Sequence, residues 1–135
     1  MREALGIHIL IEFYECDPET LKSVGYIEKT FLKAADEAGA KVVTSNFHQF
    51  QPYGVSGVVV IEESHFTIHT WPEHNYAAVD LFYCDPSVDG DKAIKVIKDA
   101  LKSKNFSTME LKRGTFVSYQ DMVEKAETFS EKETA

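Results

Sequence analysis

Glu63-Ser64-His65-Phe66-Thr67-Ile68-His69-Thr70-Trp71-Pro72-Glu73 combines a strand pattern with an unusual density of reactive groups. In an extended chain His65, Thr67, His69 and Trp71 fall on one face, and Ser64, Phe66, Ile68 and Thr70 on the other. Pro72-Glu73-His74-Asn75 has turn composition and closes the run. On either side lie two more β-like segments. Val55 to Ile61 is almost all valine and isoleucine, which predicts a strand buried on both faces. Tyr76 to Cys84 follows the turn and stops at Asp85-Pro86. Strands joined by such short turns pair antiparallel. The hairpin around Pro72 to Asn75 then sets Ser64 and His65 near Cys84.

Further out, the elements are equally legible. Leu5 to Tyr14 puts Ile7, Ile9, Ile11 and Phe13 on one strand face, with His8, Leu10 and Glu12 on the other. Val24 to Ala38 carries apolar residues at helical spacing (Val24, Ile27, Phe31, Ala34, Ala35, Ala38), and Gly39 stops it. Lys41 to Gln51 is rich in β-formers and ends at the turn Pro52-Tyr53-Gly54. Asp89 is a good N-cap for a helix reaching about Lys102, with Ala93, Ile94, Ile97, Ala100 and Leu101 on one face. Phe106 to Phe116 reads as a last strand. The expected order is β-α-β-β-β-β-α-β. It predicts an α+β, two-layer sandwich, with a mainly antiparallel sheet and two helices on one face. One domain is expected over 1–117, and a charged, partly disordered tail over 118–135. The uncovered sheet face would keep Phe, Trp and His side chains and calls for a partner or a ligand.

Composition narrows the function. A chain of 135 residues that is 44% hydrophobic suits one domain with a real core. It holds no run of membrane-spanning length and no signal-peptide pattern, so a soluble, cytoplasmic protein is expected. Cys16 and Cys84 are too few for a disulfide framework. A net charge of −8 argues against nucleic acid, which needs a basic surface.

From the residues alone three chemistries stay open. Ser64 or Cys84 could be a nucleophile with His69 as base. His65, His69, His74 and Cys84 could bind zinc, though there is no CxxC and the spacing fits no finger. Trp71, Phe50 and Phe66 could instead form the platform of a non-catalytic binding module. Each residue also has an ordinary structural use: a serine opening a strand, a satisfied histidine, a small buried thiol.

A longer pattern runs through the chain: Leu5-Gly6-Ile7-His8, Glu12-Phe13-Tyr14-Glu15-Cys16-Asp17, Thr44-Ser45-Asn46-Phe47-His48, Pro52 to Ile61, Glu63 to Glu73 and Tyr76 to Cys84. It resembles the prokaryotic S-adenosylmethionine decarboxylases over roughly residues 4 to 115, with no departure at the reactive positions. The resemblance implies a self-cleaving proenzyme. The hydroxyl of Ser64 would attack the carbonyl of Glu63, elimination of the resulting ester would leave dehydroalanine, and its hydrolysis would release ammonia and leave a pyruvoyl group in place of Ser64. That ketone would take the substrate amine as a Schiff base and accept the electrons left by carbon dioxide. The resemblance gives His69 a processing role, with Ser56 assisting, and makes Cys84 the proton donor to the substrate carbon. Phe50 would stack on adenine. Trp71 and Phe66 would wall the pocket, and Glu73 would accept from ribose hydroxyls. It further implies S-adenosylmethionine as substrate, a product used for spermidine, no metal, and a two-fold dimer with sites near the interface. Arginine or ornithine decarboxylation on the same core, or an uncleaved binding module, are the alternatives.

Overall fold

The computed structural model describes residues 4–62 and 64–115. Glu63, Phe116 and the tail expected over 118–135 lie outside the described residues. The elements follow the predicted order: β1 (Ala4–Tyr14), α1 (Val24–Ala38), β2 (Val42–Gln49), β3 (Val55–Ile61), β4 (Ser64–Trp71), β5 (Tyr76–Tyr83), α2 (Gly90–Leu101) and β6 (Asn105–Thr115). Two single 3-10 turns join them, at Pro18–Leu21 and Pro72–His74. The first goes beyond the sequence reading. Its signal was Asp17-Pro18: the Asp17 side chain accepts from the Glu19 N–H, and proline stands at the first helical position.

The caps explain where the helices start and stop. Ser23 accepts from the Tyr26 N–H and opens α1, and Gly39 closes it in the left-handed region at φ 83°. Asp89 accepts from the Lys92 N–H and opens α2. The helices run antiparallel. Tyr26 Oη donates to Ala100 O at one end, and the Asp89 N–H donates to Ala38 O at the other.

All six strands form one sheet in the order β2-β3-β4-β5-β1-β6, with every neighbouring pair antiparallel. Both helices cover one face. Beneath them Ile9, Ile11, Phe13, Val55, Val59, Phe66, Ile68, Val79 and Leu81 meet Ile27, Phe31, Ala34, Ile97 and Leu101. Each large apolar side chain removed from water here contributes about 1.5–3 kcal/mol. The opposite face is open. This corrects one expectation: β3 is not buried on both faces. Val55, Val59 and Ile61 are buried, but Ser56, Val58 and Val60 are only half-buried. Their continuous apolar run reflects a second face that nothing among the described residues covers. No helix among the described residues is long and apolar enough to cross a membrane.

Candidate active site

The open face carries most of the reactive side chains, and they form two groups at opposite ends of β4. The first group gathers where β4 begins. Ser64 is the first residue of β4, and its Oγ donates to Glu62 O at 3.3 Å. His65 pairs with Phe82 of β5, and Phe82 pairs with His8 of β1. One step further along, Ser64 comes level with Tyr83, next to Cys84. The Cys84 thiol lies over Gly6. A Cβ on Gly6 would meet the Phe82 ring at 2.9 Å and Cys84 Sγ at 3.2 Å. Glycine at position 6 therefore leaves the room that the thiol occupies. Register brings Ser64, His65 and Cys84 to the same end of the sheet, and strand alternation puts His65 on the open face and Ser64 on the face of Phe66.

Polar groups that the sequence reading left without a role surround this end. The His8 ring lies 5.4 Å from that of Phe82 and 6.3 Å from that of His65. His8 Nε2 is buried without a hydrogen-bond partner among the described residues, 3.9 Å from Asp80 Oδ1. Thr67 Oγ1 donates to Asp80 Oδ2 at 3.2 Å, and the Arg113 guanidinium sits 5.2 Å from the Phe82 ring centre. Burial lowers the pKa of His65, and His8 and Arg113 lower it further against the pull of Asp80. The available signal was the polar residue in each otherwise apolar strand: His8 in β1, Asp80 in β5.

The second group gathers where β4 ends. Ser56 of β3 pairs with His69, and Ser56 Oγ and His69 Nδ1 share a hydrogen bond of 2.8 Å. That bond fixes the plane of the imidazole. Trp71 lies 6.3 Å from His69 and stacks on Tyr76 at 5.4 Å. Phe50 follows β2 and packs edge-on against His48 at 4.5 Å. Both aromatic rings are open to solvent, Phe50 at 47% and Trp71 at 40%. Glu73 is exposed in the 3-10 turn beside Trp71. Tyr76 Oη donates to Glu12 Oε2 at 2.7 Å; burial and that carboxylate hold the phenol well above its usual pKa.

Two expectations change in the single chain. Phe66 is fully buried under the helices, on the face opposite Trp71 and His69, so here it is a core residue. Strand alternation is the reason. His69 does not meet Ser64 either. Five residues of extended strand separate them, about 16 Å at 3.3 Å per residue. Cys84 is further still, since His69 pairs with Ala78. Within one chain, no nucleophile–base pair of Ser64 or Cys84 with His69 can form. Among the described residues no group of three or more His, Cys, Asp and Glu side chains is placed to share a metal ion.

Comparison with known proteins bears on this arrangement. A sequence model of the family described as S-adenosylmethionine decarboxylase matches residues 7–114. The chain is 56% identical over 114 residues to the S-adenosylmethionine decarboxylase proenzyme of Thermotoga petrophila, covering 84% of this chain and 88% of that one. It is 53% identical over 113 residues to the proenzyme of Caldicellulosiruptor saccharolyticus, covering 84% and 91%. The crystal structure of the adenosylmethionine decarboxylase from Aquifex aeolicus superposes with a TM-score of 0.79 at 35% identity, over 87% of this chain and 97% of that one. A Trypanosoma brucei AdoMetDC monomer shares the fold, with a TM-score of 0.60 at 18% identity over 77% of this chain and 45% of that one. With its sheet, its helices and its Ser64–Cys84 end in place, this chain belongs to the S-adenosylmethionine decarboxylase family.

Proposed function

We propose that the chain is the proenzyme of a pyruvoyl-dependent decarboxylase that converts S-adenosylmethionine to its decarboxylated form and carbon dioxide, and that a second copy completes each of its sites. Family membership supports the reaction. The observation that carries the reading at residue level is Ser64 opening β4 one register step from Cys84 of the neighbouring strand, whose thiol occupies space left by Gly6.

Self-cleavage starts from Ser64. Its Oγ attacks the Glu63 carbonyl, the peptide nitrogen leaves, and an ester replaces the amide. Removal of the Ser64 α-proton then releases the Glu63 carboxylate and leaves dehydroalanine, which water converts to the pyruvoyl ketone with loss of ammonia, so a base must reach that α-carbon. The pyruvoyl group would stand at position 64, where β4 begins, with Cys84 of the neighbouring strand beyond Tyr83 in the register. The group supplies an electron sink for the bond that loses carbon dioxide. Cys84 delivers the proton to the substrate carbon. Phe50 and Trp71 offer aromatic faces to the adenine and the sulfonium, and Glu73 accepts from ribose hydroxyls.

The base, the aromatic faces and Glu73 belong to the far end of β4. A two-fold pairing of open faces, with strands reversed, brings that end of one copy against the Ser64–Cys84 end of the other. The pairing covers the half-buried valines of β3 and builds two equivalent sites. His69, oriented by Ser56, then serves as processing base for the Ser64 of its partner.

The test is a denaturing mass spectrum followed by a carbon dioxide assay. The expected masses are those of residues 1–63 and of a blocked chain starting at position 64. S-adenosylmethionine should release carbon dioxide, and arginine and ornithine should not. Full-length protein after long incubation overturns self-cleavage. Turnover of arginine or ornithine overturns the substrate.

A further inference from the structure

Among the described residues, Arg113 is the one Lys or Arg that the strands place on the open sheet face. It stands on β6 opposite Gly6 of β1. With no side chain at Gly6, the arginine stem can lie across β1. Its guanidinium comes to rest 5.2 Å from the Phe82 ring centre on β5. Phe82 pairs with His65, the residue after Ser64, and shares with Cys84 the space beside Gly6. The permanent positive charge of this face is therefore held at the Ser64–Cys84 end.

None of the ion pairs among the described residues engages that charge. The strand carboxylates on the same face are occupied by hydroxyl donors. Tyr76 Oη donates to Glu12 Oε2 at 2.7 Å, and Thr67 Oγ1 donates to Asp80 Oδ2 at 3.2 Å. Arg113 itself is exposed. Its residue type matters as well. Of the 14 basic residues in the chain, only Arg2 and Arg113 are arginines. A guanidinium presents a planar fork that matches both oxygens of a carboxylate, which an ammonium does not.

The proposed reaction brings such a carboxylate to this place. The substrate amine joins the ketone at position 64, and Cys84 protonates the carbon that bears that amine. The carboxylate to be lost sits on the same carbon, so it too lies on the Cys84 side of the site.

We propose that Arg113 binds the α-carboxylate of the substrate and so distinguishes the amino acid from its decarboxylated product. Carbon dioxide leaves as a neutral molecule, and the product retains nothing for the guanidinium to hold. The inference rests on the decarboxylase reading above and adds to it the residue that tells substrate from product. The ion pair exists before the carbon–carbon bond breaks and vanishes with it, so Arg113 serves binding rather than the chemical step.

Steady-state kinetics on cleaved wild-type, Arg113→Gln and Arg113→Lys protein test this, with decarboxylated S-adenosylmethionine as the inhibitor. Arg113→Gln should raise the KM for S-adenosylmethionine roughly 10–100-fold, the worth of a hydrogen bond between charged groups, and kcat should not fall. Arg113→Lys keeps the charge but not the fork, and its KM should lie between the other two. The inhibition constant of the decarboxylated product should be the same in all three proteins. Equal weakening of substrate and product would make Arg113 a support of the site or of the contact between copies, and would overturn the proposal. So would an unchanged KM in Arg113→Gln. A cleaved wild type that releases no carbon dioxide from S-adenosylmethionine would sink the decarboxylase reading itself, and this inference with it.

Discussion

The two ends of β4 present opposite kinds of machinery. At the start, the His8, His65 and Phe82 rings pack together, the Cys84 thiol fills the space left by a missing Cβ at Gly6, and Ser64 opens the strand. At the other end, Ser56 and His69 share a short hydrogen bond among exposed rings and the exposed Glu73. The first end can hold a reactive carbonyl and a proton, but it lacks exposed rings for the nucleoside. The second offers aromatic faces and an oriented imidazole, but it lacks anything to attack. One rigid strand holds them apart, so a single copy carries two halves that cannot meet.

The strongest way to break this comparison is complementation. Ser64→Ala and His69→Ala should each leave an uncleaved chain when made alone. Co-expressed, they should restore cleavage of the His69→Ala chain, because its serine meets an intact histidine from the other copy. Cleavage should be absent from the Ser64→Ala chain, as two tagged chains on a denaturing gel would show. No cleavage of either chain in the mixture would place the processing base within the same copy.

Cys84→Ala sharpens the contrast between the ends. Chain cleavage should continue, while decarboxylation falls by roughly 10²–10⁴, the usual contribution of a positioned general acid. Normal carbon dioxide release from the cleaved variant would remove Cys84 from the reaction.

Gly6→Ala probes the packing of the first end without replacing a reactive group. The new methyl must push on Phe82 and on Cys84 Sγ. Overpacking of this kind costs about 1–3 kcal/mol, readable as a lower denaturation midpoint together with slower turnover. Unchanged values for both would mean that the pocket is looser than its distances indicate.

Phe50→Ala tests the second end. Loss of base stacking should weaken S-adenosylmethionine binding by about 1–3 kcal/mol and leave chain cleavage intact. Impaired cleavage with normal binding would reverse the assignment.

The smallest effect is on pH. The folded state holds the His65 pKa below its ordinary value, by burial first and by His8 next. In acid the unfolded chain then binds more protons than the folded one, so stability falls as the pH drops below about 6.5. His65→Gln should flatten that part of the stability–pH curve. An unchanged slope would assign it to another group.

Much of this was written locally. Alternation from Ser64 to Trp71 made a strand, Pro72 to Asn75 made its turn, and Ser23, Gly39 and Asp89 bounded the helices. The caps were readable because each satisfies backbone groups within a few residues. The length of the Glu63–Glu73 block made the family legible as well. The face on which Phe66 lies was also implicit in alternation, but sequence proximity to Trp71 drew it toward the pocket.

What the chain could not specify locally is which distant strands become neighbours. Sheet order is set by long-range pairing, and only the tertiary structure places β1 between β5 and β6. That placement lays Gly6 and His8 beside Cys84 and Phe82. The same fold leaves one sheet face open, because two helices can cover only one side. It also sets Ser56 against His69, five residues from Ser64 along an extended strand. Sequence alone determined which residues offer reactive groups and on which elements, because residue type and local period are properties of neighbours in the chain. Tertiary structure decided which of them can touch, because strand pairing and strand length fix distances that no local pattern contains.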